Sequence, residues 1–159
     1  MLSRALIFSR KAERVLMSIS DIGPYAFVDG SYNAKTKVFG CGGYVVADKK
    51  RYEIKAKDSD PEMASMRNVA GEILGARLAV EKALELGLKS IIILYDYEGI
   101  EKWAKGEWKR NKKGTKAYFE FMQENKTKIQ IGFKKVTAHS GIPGNEEADR
   151  LAKEAVGNA

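Results

Sequence analysis

The spacing of apolar residues changes at Asn68, and that change restricts what the chain can fold into. Before it, apolar and polar residues follow a period of two. Tyr25 to Asp29 is a short apolar and aromatic run, Gly42 to Ala47 is another, and Tyr52, Ile54 and Ala56 alternate with Glu53, Lys55 and Lys57. These are strand patterns, the third with one wet face. Residues 30 to 40 are polar, with two glycines and an asparagine, and read as a turn; Asp48-Lys49-Lys50 reads as a hairpin loop. Three antiparallel strands joined this way form a meander.

Asp58 to Met66 is a connecting loop, after which the period becomes helical. Val69, Ile73, Ala76, Val80 and Ala83 form one stripe that stops at Gly87. Ser90 to Tyr95 is almost uninterruptedly apolar, as in a central strand buried on both faces. Gly99 to Lys126 reads as one or two short helices split near Gly114. Ile129, Ile131 and Phe133 give a fifth strand, Gly141 to Asn145 a turn, and Glu146 to Val156 a closing helix. The order βββ-α-β-α-(α)-β-α predicts an α/β fold, a five-stranded mixed sheet flanked by helices. Sheets of this kind bind ligands beyond the carboxyl ends of their strands.

Composition narrows the chemistry. Lys and Arg number 28 against 21 Asp and Glu, a net charge of +7 with a pI near 9.4. That balance suits a polyanionic partner such as nucleic acid, or serves solubility alone. One cysteine, Cys41, excludes an intramolecular disulfide framework and a cysteine-built zinc site. Cys41 reads as a small buried residue in a reducing compartment. One histidine, His139, excludes a multi-histidine metal site. Any metal would rest on carboxylates, which means a hard ion such as magnesium or manganese. The run Ile91 to Leu94 is far short of the roughly 20 residues of a membrane span.

Residues 1 to 20 differ from the rest, with Arg4, Arg10, Lys11 and Arg14 against Glu13, and with Asp21 and Ile22 they make up residues 1 to 22. They read as a basic N-terminal extension of a domain over residues 23 to 157. A short amphipathic helix, an organellar import signal, or a later start at Met17 are the alternatives. The expected location is the cytoplasm, and the expected state a monomer.

Two aspartates close apolar runs: Asp29 after Phe27-Val28, and Asp96 after Leu94-Tyr95. Carboxylates ending neighbouring central strands repel one another unless a cation lies between them. The alternative is that each caps its own turn. Glu72 lies beside the buried stripe of the first long helix, flanked by Gly71 and Gly75, where an exposed glutamate is the plainer reading. Glu146 and Asp149, three apart, share a helix face after the loop that carries His139. Helix-dipole complementarity explains Glu146 but not Asp149, which lies deeper than the first turn.

Together, Asp29-Gly30-Ser31, Asn68 through Glu72, Leu94-Tyr95-Asp96 and the string HSGIPGNEEADRLA resemble type 1 ribonuclease H over roughly residues 25 to 157. The resemblance implies the ribonuclease H-like fold and an endonuclease that hydrolyses the RNA strand of RNA–DNA hybrids by two-metal-ion catalysis. A hybrid-binding module without catalysis, or a nuclease of this fold acting on DNA, are the alternatives. By resemblance Asp29, Glu72, Asp96 and Asp149 hold two Mg2+ ions, with Mn2+ as the other candidate, and Asp29 bridges them. His139 and Glu146 assist proton or product departure. Asn68, Ser31 and Asn33 meet the minor groove, where 2′-hydroxyls distinguish RNA from DNA. Val69 stands where the family has a second asparagine. Asn68 doubles as a candidate N-cap. Residues 101 to 116 hold seven Lys/Arg and two Glu around Trp103 and Trp108, like a shortened basic handle. Its basic face, with Trp103, Lys109 and Arg110, is expected to grip phosphate backbone, while one tryptophan anchors to the core. Tyr95 and Tyr97 read as packing residues.

Overall fold

The computed structural model describes residues 23–137 and 142–158. Five strands, β1 (Tyr25–Asn33), β2 (Val38–Ala47), β3 (Lys50–Asp58), β4 (Ser90–Tyr95) and β5 (Gln130–Lys135), form one mixed sheet. Its order is β3-β2-β1-β4-β5. The β1–β2 and β2–β3 pairs are antiparallel, and β1–β4 and β4–β5 are parallel. The helices are α1 (Pro61–Ala64), α2 (Asn68–Glu85), α3 (Gly99–Ala104), α4 (Lys113–Asn125) and α5 (Pro143–Ala155). Among the described residues, no helix is long and apolar enough to cross a membrane.

Alternation along the central strands divides the core in two. Ala26, Val28, Ile91 and Ile93 pack with Ile73, Ala76 and Val80 of α2. Phe27 and Leu94 pack with Tyr44, Ile142 and Ala148 on the side of α5. Burying these side chains on both faces supplies most of the driving force for the fold. Cys41 is fully buried, and burial pushes its thiol up to about 12.

Several boundaries differ from the sequence reading, each for a physical reason. β1 does not end at Asp29 but continues to Asn33, because β2 offers a full antiparallel partner from Val38. The parallel ladder to β4 covers only Tyr25, Ala26 and Phe27. Asp29 is therefore mid-strand on its β2 side and just past the end of pairing on its β4 side. Within the loop 58–66, Asp60 caps α1 by accepting from the Met63 N–H at 3.0 Å. The split between α3 and α4 falls at residues 105–112. Gly114 lies inside α4, where it lets the helix pack against Met63 and Met66. α5 starts at Pro143 rather than Glu146, since proline suits the first turn of a helix. Asn68 is the first helical residue of α2 and not its cap. Arg67 holds the cap position with φ +56° and no side-chain cap bond.

Candidate active site

Three elements converge on the end of the sheet where β1 parts from β4. Asp29 comes from β1, Glu72 from the second turn of α2, and Asp96 from the residue after β4. One carboxylate oxygen from each lies within 4.8 Å of the other two. Glycine makes this approach possible. A Cβ on Gly30 would overlap Asn68 O and Glu72 N, and one on Gly71 would overlap Gly40 O. Bare backbone thus seats the first turns of α2 directly on β1 and β2, and carries Glu72 to Asp29.

The cluster is electrostatically costly. Asp29 is 6% exposed and Glu72 3%. Burial, then the charges of Asp96 and Asp149, push Asp29 up to about 6, against the lowering effect of hydrogen bonds from Glu72 and the Gly30 N–H. Glu72 is pushed well above the ordinary carboxylate range, chiefly by burial and then by Asp29 and Asp96. Glu72 Oε2 is buried without a hydrogen-bond partner. A buried acceptor oxygen without a donor, set among carboxyls raised by burial, is relieved by a proton or by a cation. Oxygen-only donors with room for water suit magnesium or manganese.

Asp149 reaches the same place from α5. With Asp29, Gly30, Asn68, Val69, Glu72, Asp96 and Tyr97 it lines a cleft of about 330 Å³. Its Oδ2 accepts from Lys153 Nζ at 2.9 Å, one turn on. A neighbouring cleft of about 320 Å³ shares Val69 and Tyr97 and adds Met66, Trp103, Lys109, Asn111, Lys112 and Thr115. An acidic cleft thus opens beside an aromatic groove with a basic rim.

A family model for RNase H matches residues 24–157, nearly all of the described sheet and helices. The chain belongs to the ribonuclease H family. The ribonuclease H of Maricaulis maris (strain MCS10) is 30% identical over 143 residues, 82% of this chain and 91% of that one. Human ribonuclease H1 is 34% identical over 99 residues, 55% of this chain, and the match spans about a third (34%) of the human protein. Among solved structures, RNase H1 from the halophilic archaeon Halobacterium salinarum NRC-1 superposes with a TM-score of 0.70 at 23% identity, covering 86% of this chain and 98% of that one. LC11-RNase H1, solved in complex with RNA/DNA hybrid, gives 0.64 at 16%, covering 83% and 98%. These two show the shared fold. Family and fold together support ribonuclease H activity on RNA–DNA hybrids.

The ribonuclease H domain brings the four expected acids to one cleft, with Asn68 at its rim. Glu146 is exposed on the first turn of α5. His139 lies outside the described residues. Trp103 and Lys109 line the adjoining groove. Arg110 is engaged internally: Nη1 donates to Trp108 O at 3.0 Å, and the guanidinium stacks 4.1 Å from the Phe119 ring centroid. Asn33 Nδ2 donates to Val156 O at 2.8 Å, and Ser31 Oγ accepts from Asn158 Nδ2 at 3.2 Å. Both side chains therefore tie β1 to the end of α5. The sequence reading left out Tyr97 and Thr115 as groove-lining residues. Tyr97 was legible only as an aromatic beside Asp96, and it proves to be the wall common to both clefts.

Proposed function

We propose that this chain hydrolyses the RNA strand of RNA–DNA hybrids, with Asp29, Glu72, Asp96 and Asp149 holding a pair of Mg2+ ions, or Mn2+ in their place. The observation that carries the reading is the cluster of buried Asp29 and Glu72 with half-buried Asp96, and the partnerless Glu72 oxygen within it. Bound there, divalent ions would lower the pKa of an attacking water and stabilise the leaving 3′-oxygen. The acids come from β1, α2, the end of β4 and α5, all packed on one sheet, so the site needs little rearrangement to receive the ions.

The rest of the chain orients the hybrid. Asn68, exposed at the cleft rim, offers an amide that both donates and accepts to groove edges and 2′-hydroxyls. Tyr97 and Trp103 line the next stretch of groove, and Lys109 and Lys112 offer charge to backbone phosphates. Glu146, one turn before Asp149, and His139, which precedes α5 in the sequence, assist proton or product departure. LC11-RNase H1 was solved with RNA/DNA hybrid, which supports the same substrate class here.

The decisive experiment compares binding and cleavage by wild type and Asp96→Asn on labelled RNA–DNA hybrid, double-stranded RNA and double-stranded DNA, with magnesium, manganese or EDTA. The expected result is cleavage confined to the RNA of the hybrid, abolished by EDTA and reduced at least about a thousandfold in the variant. Cutting of duplex DNA would move the chain to another branch of the fold. Binding of hybrid without cleavage in either metal would make it an inactive module.

A further inference from the structure

The contacts at the end of α5 suggest how Asp149 is held in place. α5 lies on the glycine-rich stretch of β2. A Cβ on Gly42 would overlap the Ala152 amide and Leu151, and one on Gly40 would strike Val156. Bare backbone lets the helix come close, but it offers few side-chain knobs to fix where the helix sits along its axis. At the start of α5, Gly144 rests on the Phe27 ring, an apolar contact with little directionality. Directional contacts to β1 come at the other end.

There, Gly157 adopts φ +77°, donating to Glu154 O at 3.2 Å, and the Asn158 N–H donates to Lys153 O at 2.8 Å. This Schellman-type exit satisfies the last carbonyls and turns the chain back toward the sheet. Asn158 Nδ2 then donates to Tyr32 O at 2.8 Å and to Ser31 Oγ at 3.2 Å. Asn33 Nδ2 donates the other way, to Val156 O at 2.8 Å. The two asparagines clamp the end of α5 to β1, two to four residues beyond Asp29.

We propose that Asn33 and Asn158 are positioning residues that set the axial register of α5 and so hold Asp149 opposite Asp29. The inference rests on the metal-dependent reading above. Asp149 precedes Val156 by seven residues, about 10 Å of one continuous helix. A slip at the clamp therefore passes undiminished to Asp149. The same β1 segment carries Asp29, so clamp and acids share a frame. The role differs from the groove contact that the sequence implied for Ser31 and Asn33.

The test uses the full chain with Asn158→Ala and, separately, Asn33→Asp. Asn33→Asp keeps the acceptor that holds the Lys35 and Thr36 N–H groups (3.0 and 3.3 Å) but removes the donor to Val156. Mn2+ binding is measured by calorimetry without substrate. In addition, kcat and KM on hybrid are measured across magnesium concentrations, well below each variant's Tm. The expected result is Mn2+ affinity weakened about tenfold and kcat lowered about tenfold, with KM for hybrid unchanged. A fall in Tm with metal affinity and kcat unaltered would reduce the clamp to a structural tie and overturn the proposal. A rise in KM alone would overturn it in favour of direct groove contact. If wild type cleaves no hybrid, the functional reading fails, while a weakened Mn2+ affinity in the variants would still support the clamp.

Discussion

Glu72 keeps one oxygen buried without a hydrogen bond, in an otherwise well-packed helix. Such a group costs roughly 1–3 kcal/mol in the folded state. A functional site tolerates that cost when the oxygen is needed for a ligand, and the remainder of the fold offsets it. Glu72→Gln removes the charge and supplies an amide donor to the neighbouring carboxylates at nearly constant volume. Chemical unfolding in EDTA should therefore show the variant more stable than wild type by about 1–3 kcal/mol, with cleavage abolished. A less stable variant would mean that Glu72 already has the partners it needs and that the cluster is no metal cradle. Asp29 and Asp96 stood out in the sequence as carboxylates closing apolar runs, whereas Glu72 read as an exposed helix residue and entered the site only through the family resemblance. Ser31 and Asn33 were not legible in the same way, since nothing local to them announces their partners Asn158 and Val156, 127 and 123 residues away.

At the scale of elements, the segment between α3 and α4 is held by its own aromatic residues. Trp103 and Trp108 meet edge to face at 5.6 Å, and Tyr97 lies 5.8 and 6.2 Å from them. Trp103 Nε1 donates to Lys109 O at 3.2 Å, which fixes the loop that presents Lys109. Lys109 and Arg110 are neighbours in sequence yet face different tasks. Lys109 is exposed at the groove, whereas Arg110 is spent on Phe119 and Trp108 O. Lys109→Glu should weaken hybrid binding about tenfold at low salt, with a smaller effect at high salt and no loss of Tm. Arg110→Glu should lower Tm by several degrees as its stacking and hydrogen bond go. Equal salt-dependent losses from both variants would show that the handle opens on binding. The sequence pattern showed this segment as basic and tryptophan-rich. It did not show which cation is free, because that depends on a contact with α4. It also placed the helix break at Gly114, where the glycine in fact serves close packing against α1.

Across the whole molecule, the acidic cleft makes folding, protonation and metal binding depend on one another. Asp29 titrates near 6 in the fold, raised from about 3.8 by burial and neighbouring acids. A carboxyl raised by folding favours its protonated state there, so the folded protein binds the extra proton. Its contribution to stability is present below about pH 4, is lost as pH rises from about 4 to 6, and stays lost above that. The size of the loss is on the order of 3 kcal/mol. Glu72, also raised, chiefly by burial, adds to the decline. Glu101 and Glu154, both lowered, act in the opposite sense, so the wild-type profile alone mixes the two. Comparison with Asp29→Asn cancels the contributions of Glu101 and Glu154. In EDTA, the variant should gain stability over wild type progressively between pH 4 and 6, as measured by denaturant unfolding at each pH. Adding magnesium at pH 7.5 should narrow that gap by stabilising wild type, since a ligand bound only by the folded state adds stability in proportion to the logarithm of its saturation ratio. A gap that does not change with pH would mean that the cleft is solvated enough to ionise freely. A gap that magnesium leaves untouched would mean that Asp29 holds no ion.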